Sequence, residues 1–528
     1  MFPGKDPPCQ LRKVFDLLAL MQAASWPISQ EQLASEVKSI YAGLTMVETK
    51  SCQHPSAPPA LRRLLEKYSM PARMWKYGII SFLELLRRRI PESIDHMIAF
   101  IHLAYQMIAS LYETVPAFED TWIECLGDLG RYRMAIADKI SDRETWAGVA
   151  RSWYVKAADK NPTVGRLYHH LAILARPHVL LQMYYYSRSF ASVKPFQTAR
   201  ELIKMLLDSI AVRAQHSPLD NEELFILAHT TQFNHNSIEK DPFGIDRPTA
   251  NFSALKAEFL EKLGVHIDSV TTNWKNLGVY AAVINIAGWF DYGKDENLIR
   301  HALLQQLYLP PPRDSSNEDD ADVEANRKTA GPSDQQEPGE KKDKIPGTAE
   351  EWEKAQEYII NNCHLNNARC LTNETSTLVF SRLGDEDVLP YVHVMLAFFF
   401  NFASRKHVSF LIADAPWAKL VALLNTLIKT KTPDSQSENK KQDIDTLLVI
   451  DVFPREGERD DELPLPEDYY IRGQIWAQHF PEKWFEREHD QKRRYLELAS
   501  TATNRVERIL RLGYQIAKAS PPHSFLLR

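Results

Sequence analysis

The sequence predicts an almost wholly α-helical protein. Only 19 of the 528 residues are glycine, and glycine is, after proline, the residue that most weakens a helix interior. Apolar residues recur at three- and four-residue steps along much of the chain, which is the spacing of one helix face. Hydrophobic residues make up 44% and charged residues 25% of the chain, as in an ordinary globular protein.

The clearest single helix is predicted between Pro71 and Pro91. Proline is tolerated in the first turn of a helix and excluded from its interior, so the first proline opens this helix and the second closes it. One apolar stripe follows from the spacing of Trp75, Ile79, Phe82, Leu86 and Ile90. Three basic residues fall off this stripe and are expected to reach solvent or a groove: Lys76, Arg87 and Arg88.

The length of the chain suggests two or three units. Residues 310–349 contain almost no large apolar side chains and many charges, a composition that predicts a disordered insertion. Shorter polar stretches at 429–442 and 455–462 predict loops. We therefore expect a first unit over residues 1–212, and a second unit of helical hairpins over 213–309 and 350–528.

Charge and cysteine usage exclude several classes of protein. The net charge of −6 is opposite to the basic excess of proteins that mainly grip nucleic acid, so any such site must be a local patch. The five cysteines are odd in number and show no C-x-x-C spacing, which argues against a disulfide framework or a zinc site. The N-terminus has no signal-peptide layout. The most apolar helix, 97–112, is too short to span a bilayer and predicts a core helix.

A tetratricopeptide-like signature lies between residues 150 and 172. Alternating small and large residues, followed by a proline, fit the second helix of one repeat and the first helix of the next; they are Ala150, Tyr154, Ala157, Pro162, Tyr168, Leu171 and Ala172. Leu126-Gly127 fits the preceding helix if about eleven extra residues are inserted, relative to a period of ~34. The alternative is a chance helical hairpin, which a match of seven positions in register disfavours.

Four segments together carry a resemblance to a known family. They are GD-x-x-RYR within 124–133, WYVKAADKNPTVGRLYHHLAILA at 153–175, LPEDYYIRG at 465–473 and RVERIL-x-LG at 505–513. They resemble the Ever Shorter Telomeres/Smg family of phosphoprotein-binding scaffolds. The resemblance implies a 14-3-3-like tetratricopeptide domain followed by stacked α-helical hairpins.

The same resemblance implies a phosphate site. Arg131 would contact a phosphoserine or phosphothreonine and Tyr132 would hydrogen-bond to it. The chemistry is sound, because a planar guanidinium holds a doubly charged phosphate bidentately. A second cation should come from the helix 71–90, with Arg73 and Lys76 as candidates. Alternatively, Arg131 simply pairs with Asp128 and stabilises its helix.

His169 stands where the family has an asparagine that grips the peptide backbone. A neutral histidine donates one hydrogen bond but lacks the paired donor and acceptor of an amide. The sequence therefore predicts a peptide-backbone contact at His169 that is weakened or pH-sensitive. The alternatives for the pair His169-His170 are a structural or surface role, and metal binding is disfavoured because no cysteine or carboxylate cluster lies nearby.

The segment LLVID at 447–451 is the one hint of an enzyme. Some members of the family carry a metal-dependent PIN nuclease domain that begins in this way, but too few residues follow Asp451 for that domain. We expect a short extended segment instead. No G-x-S-x-G, P-loop, H-E-x-x-H or dinucleotide fingerprint is found, so we expect no catalytic site, no metal and no cofactor.

The sequence thus predicts a non-enzymatic adaptor of the nucleus and cytoplasm. Its expected ligands are phosphorylated protein segments, in nonsense-mediated mRNA decay or telomere maintenance, with no membrane association. A hetero-oligomer with a related adaptor is also implied by the resemblance. The alternative is a subunit that binds telomeric DNA or telomerase RNA, for which the basic clusters 87–89 and 492–494 are candidates; solvated helix faces explain these clusters equally well.

Overall fold

A computed structural model describes residues 70–234, 252–294, 296–307, 349–405, 407–431, 447–455, 457–459, 461–488 and 493–519. The chain divides into two compact units, residues 1–162 and residues 163–528. All the regular secondary structure in the described ranges is helical, apart from two isolated β-bridges. The predicted all-α fold class is confirmed.

The described part of the first unit contains five α-helices: α1 (Met70–Arg73), α2 (Ser81–Arg87), α3 (Ile94–Thr114), α4 (Glu119–Ala135) and α5 (Ile140–Lys160). A π-helical segment, Met74–Ile80, joins α1 to α2, so the helix predicted from Pro71 is continuous but locally widened. Ile79, Phe82 and Leu86 are fully buried, whereas Ile90 is 42% exposed. The apolar stripe therefore ends before Pro91.

Helix α4 packs against both α3 and α5. It is the central element of the core of the first unit, to which α3 contributes seven buried apolar residues: Met97, Phe100, Ile101, Ala104, Met107, Ile108 and Leu111. Among the described helices, α3 alone has the length and composition of a membrane span. Its burial in this core agrees with the predicted core helix.

The described part of the second unit contains thirteen α-helices, which begin with α6 (Gly165–Leu174), α7 (Val179–Ala191), α8 (Thr198–Ala214), α9 (Asn221–Asn234), α10 (Phe252–Val270), α11 (Trp274–Trp289) and α12 (Leu298–Leu307). They continue with α13 (Ala349–Asn361), α14 (Cys363–Phe380), α15 (Leu389–Ala403), α16 (Trp417–Lys431), α17 (Pro466–Ile471) and α18 (Ala499–Ala519). The start of α14 follows from sequence, because the Asn362 side chain accepts hydrogen bonds from two backbone amides of its first turn.

One hydrophobic core joins the helices of the second unit. Helix α7 packs on α6, α8, α9 and α11, and α11 in turn packs on α14 and α15. Helix α8, which we expected to close the first unit, contributes Ala199, Ile203, Leu207 and Ile210 to this core. The boundary between the compact units consequently falls after Pro162, earlier than the expected boundary after residue 212.

The predicted breaks between helices have different outcomes. The expected insertion at 310–349 lies outside the described residues, except that Ala349 begins α13. Helix α16 continues to Lys431, and 432–446 also lie outside the described ranges. Within 455–462 the described residues are non-helical, as expected. The extended segment expected at LLVID was wrong, because residues 447–449 are helical.

Candidate functional site

The motif 124–133 lies on α4 where this helix approaches α5 most closely. A Cβ atom added to Gly130 would stand 3.2 Å from the backbone of Ala150, and one added to Gly127 would stand 2.8 Å from the ring of Tyr154. The two glycines therefore let α5 pack against α4 at short range. The hydroxyl of Tyr154 uses this proximity to donate a 2.6 Å hydrogen bond to Asp128 Oδ1.

Arg131 pairs with the carboxylate one turn earlier on its own helix. Its Nη2 lies 2.9 Å from Asp128 Oδ1, and the two side chains are 31% and 17% exposed. Although burial opposes its charge, Tyr154 and Asp128 together raise the pKa of Arg131 above its ordinary value. The contact is a single hydrogen bond and not a bidentate fork, and Arg131 Nε is buried without a hydrogen-bond partner in the described part of the chain.

Tyr132 is also held by a carboxylate. Its hydroxyl donates to Glu84 Oε1 of α2 at 2.7 Å. Burial and this carboxylate raise the pKa of Tyr132. Glu84 in turn lies 2.7 Å from Arg87 Nη2, and although partial burial would raise its pKa, Tyr132, Arg87 and Arg88 lower it overall.

The second cation was expected from Arg73 or Lys76. Both are exposed, and Lys76 lies over the ring of its neighbour Tyr77, at 5.4 Å. The helix instead brings Glu84 to the motif, with Arg87 beside it. The difference arises because Glu84 is two to three helical turns beyond Arg73 and Lys76 along the helix axis. A phosphate site formed by Arg131, Tyr132, Lys76 and Arg73 stays a prediction.

His169 belongs to the core of the second unit. It is 6% exposed and its ring packs against those of His170, Tyr186 and Phe196, with centroids 5.1–6.0 Å away. The expected peptide-backbone contact at His169 stays a prediction. Among the described residues, no group of three or more His, Cys, Asp or Glu side chains could hold a metal ion.

The two later motifs form a buried ion network in the second unit. Arg505 of α18 donates to both carboxylate oxygens of Glu467 at 2.7 and 3.0 Å, and both side chains are almost inaccessible. Arg508 and Arg511 share the carboxylate of Glu462. Buried ion pairs therefore hold the LPED element against α18, and both motifs have a structural role. Sequence reasoning placed both motifs but gave no signal for the partnership between them.

Asp451, the residue that hinted at a nuclease, is exposed. Its carboxylate lies 3.0 Å from Arg455 Nη2, with the two side chains 56% and 76% exposed. This is an ordinary surface ion pair of neighbouring residues.

Three matches to known proteins point to the same family. A family model described as "Est1 DNA/RNA binding domain" matches residues 150–240. EST/SMG-like protein 2 of Saccharomyces cerevisiae is 28% identical over 167 residues, and telomerase-binding protein EST1A of Danio rerio is 39% identical over 92 residues. Together these matches support the Est1/Smg family for this chain. The matched segments are 30% and 17% of this chain, and they span only 14% and 6% of these two relatives.

Solved structures of the family share the fold. The structure described as "Crystal structure of Est1 and Cdc13" matches with a TM-score of 0.52, covering 96% of both chains at 10% identity. The "Structure of the C. elegans SMG5-SMG7 complex" has a TM-score of 0.39, covering 87% of this chain and 92% of the other at 13% identity. The match to the first of these structures shows a shared fold well beyond residues 150–240.

Proposed function

We propose that this Est1/Smg chain is a non-enzymatic adaptor in telomere maintenance or nonsense-mediated mRNA decay, acting in the nucleus and cytoplasm. The family match supports the pathway, and telomerase binding is named for the zebrafish relative. Two protein chains are named in each of the solved structures. A protein partner, including a related adaptor, is accordingly part of the proposal.

We propose a phosphorylated protein segment as its ligand, bound at the cluster around Arg131. The supporting observation is the charge balance of this cluster. Arg131 pairs with Asp128, and the neighbouring Tyr132 is bonded to Glu84, whose negative charge is also opposed by Arg87 and Arg88. Three guanidinium groups thus accompany two carboxylates. The carboxylates hold the arginines in place but leave an excess positive charge. A phosphate, with nearly two negative charges, competes with Asp128 for Arg131 because it offers the guanidinium a bidentate partner.

The first prediction concerns Arg131 and Glu84. Arg131→Gln should weaken binding of a phosphoserine peptide about tenfold or more, since one charge-assisted contact is typically worth ~1.5–3 kcal/mol. Glu84→Gln should tighten binding, because it removes a competing carboxylate and frees the Tyr132 hydroxyl for the phosphate. Fluorescence anisotropy with matched phosphorylated and unphosphorylated peptides, taken from proteins that the chain captures before but not after phosphatase treatment, measures both effects.

Arg133→Gln is the matched control, because Arg133 lies two residues along the same helix and contacts the ring of Trp146 instead of the cluster. It should leave the affinity for the phosphopeptide unchanged. Equal affinity for the two forms of the peptide, unaffected by Arg131→Gln, would reject the phosphate site and leave the family assignment intact.

Nucleic acid is the second candidate ligand. The observation that favours it is the description of the matching family model as a DNA/RNA-binding domain, over residues 150–240. Binding to a single-stranded oligonucleotide that weakens as salt is added supports this function. Failure to bind DNA or RNA at low salt rejects it.

A further inference from the structure

Four aromatic side chains bridge α3 and α5 on the first unit, and we call them the aromatic stripe: Tyr105, Tyr112, Trp146 and Trp153. The ring of Tyr105 lies 6.4 Å from that of Trp146, and the ring of Tyr112 lies 5.5 Å from that of Trp153. Trp153 Nε1 donates a 2.8 Å hydrogen bond to the Tyr105 hydroxyl. All four side chains are half-buried, so each keeps part of its surface in contact with solvent.

Two cations lie on the rings of the aromatic stripe. The Arg133 guanidinium is 5.6 Å from the ring centroid of Trp146. Lys156 Nζ is 4.7 Å from the centroid of Tyr112 and 5.7 Å from that of Trp153, and it donates a hydrogen bond to the Tyr112 hydroxyl. The ring of His102 lies at the end of the row, 6.1 Å from that of Trp146.

These two cations differ from Arg131 in one decisive respect. In the described part of the chain, neither Arg133 nor Lys156 forms an ion pair with a carboxylate, and Arg133 Nε is buried without a hydrogen-bond partner. Positive charge held against aromatic faces and left without a counter-ion favours an anionic ligand. Residues two apart on a helix point about 200° away from each other, so Arg133 and Arg131 serve different faces of α4.

We propose that the aromatic stripe binds single-stranded nucleic acid. Unpaired bases stack on the tyrosine and tryptophan rings, and the phosphates between them are neutralised by Arg133 and Lys156. Alternation of aromatic faces with cations is how proteins hold single strands without reading their sequence. Tyr105 and Tyr112 are seven residues apart, about 10 Å along α3, which is room for a few nucleotides. Trp153 and Lys156 also lie within the segment matched by the DNA/RNA-binding family model.

This assignment rests on the nucleic-acid function proposed above and adds the surface that carries it. A duplex hides its bases inside the stack, so the stripe should discriminate against double strands. An extended protein segment is the competing occupant of a row of aromatic rings. The two unpaired cations favour the polyanion, and the salt dependence of binding distinguishes the two ligands.

The test uses the full chain and a fluorescent, unstructured twelve-nucleotide RNA in an anisotropy titration. The double variant Arg133→Gln/Lys156→Gln should bind about tenfold or more weakly, and the slope of log affinity against log salt should fall by about 1.4, or ~0.7 per lost phosphate contact. Trp146→Leu should weaken binding about fivefold to a hundredfold through lost stacking. Trp146 is the best aromatic position for this test because it is absent from the hydrophobic cores of both units.

Lys160→Gln is the matched control: Lys160 lies one turn beyond Lys156 on the same helix and is already paired with Glu119 and Asp120, so this variant should bind the RNA as the wild type does. A duplex of the same length should fail to compete. If the wild type binds the RNA but the double variant and Trp146→Leu bind equally well, the stripe assignment is overturned while the nucleic-acid function stands. If the wild type does not bind at low salt, both proposals fall together. Melting temperatures of the variants separate lost contacts from lost folding.

Discussion

At the scale of single residues, a buried bidentate pair joins Glu467 and Arg505. Burial by itself would raise the pKa of Glu467, but the Arg505 guanidinium and His393 lower it well below its ordinary value of 4.5. A carboxyl group with a lowered pKa in the folded state contributes stability above its unfolded pKa. That contribution is lost as the pH falls from about 4.5 towards the folded value.

Glu467→Gln should therefore destabilise the protein by about 3–5 kcal/mol at pH 7, because it leaves Arg505 buried with only part of its charge compensated. The loss relative to the wild type should shrink as the pH is lowered below 4.5, since the Glu467 carboxyl of the unfolded chain then begins to take up a proton that the folded chain does not. Urea unfolding at pH 7 and at pH 4 measures both quantities. Asp468 beside it has a raised pKa because it is buried, so only a change at Glu467 isolates the effect of the lowered pKa.

The control for this pair is Asp451→Asn. Asp451 and Arg455 form an exposed ion pair, which should contribute ~0–1 kcal/mol. A Glu467→Gln variant as stable as Asp451→Asn would show that the buried pair does not stabilise the fold.

The sequence predicts contacts between side chains well only when the two residues lie close together along the chain. The pairing of Arg131 with Asp128 was one of two alternatives, because both lie on one helix at a spacing that lets them meet. The contact between Tyr132 and Glu84 joins residues 48 positions apart. No local pattern encodes it, since it depends on how α2 packs near α4. The choice of Arg73 and Lys76 for the second cation likewise depends on packing that no local pattern encodes, and it stays a prediction.

At the scale of helices, Gly165 shows how one residue positions an element. It begins α6, and its amide donates a 2.8 Å hydrogen bond to the Lys194 carbonyl. A Cβ atom at this position would lie 2.9 Å from Phe196 N and closer still to the Ser189 carbonyl. Because these are backbone atoms, they can yield only if the last turn of α7 and the segment after it move.

Gly165→Ala should consequently destabilise the second unit by about 1–3 kcal/mol through overpacking. Gly264→Ala is the matched control, because Gly264 lies inside α10 and an added Cβ would meet nothing within 4 Å. This second substitution should stabilise the protein by ~0.5–1 kcal/mol. Thermal unfolding of both variants tests the pair, and a lower melting temperature for Gly264→Ala than for Gly165→Ala would contradict the packing at the start of α6.

Periodicity and proline positions predicted where helices lie but not their finer geometry. Pro71 lies in the first turn of α1, as expected. The π-helical segment Met74–Ile80 had no signal, since its residues keep the apolar spacing of an ordinary helix. The segment at 447–451 had the composition of a strand, but residues 447–449 are helical, and Leu447 and Leu448 pack against the core of the second unit.

At the scale of the whole molecule, the all-α architecture followed from composition and periodicity, whereas the division into units did not. The expected first unit, residues 1–212, included all the helices of the tetratricopeptide-like pattern. The helices that follow Pro162 continue that pattern but bury their apolar faces in the core of the second unit. The sequence of a helix does not determine which core it joins, because the same apolar stripe can pack into either one.

The single core of the second unit yields the last prediction. Helices on either side of residues 308–348 pack together. Trp289 of α11 donates a 3.0 Å hydrogen bond to Thr372 Oγ1 of α14, and its ring lies 5.1 Å from that of Phe398 on α15. A protease site engineered into residues 310–348 should therefore yield two fragments that migrate as one species on size exclusion, with a melting temperature close to that of the uncut chain.

The variant Trp289→Ala should weaken the contact between the two fragments. It removes the shared ring and the hydrogen bond, at a typical cost of ~3–5 kcal/mol for a buried aromatic. Before cleavage the linked chain should still fold, because the two halves remain at a high effective concentration. After cleavage this variant should dissociate at protein concentrations where the cut wild type stays whole. Separation of the wild-type fragments on cleavage would show instead that the two halves fold as independent domains, contrary to the single core that the structure describes.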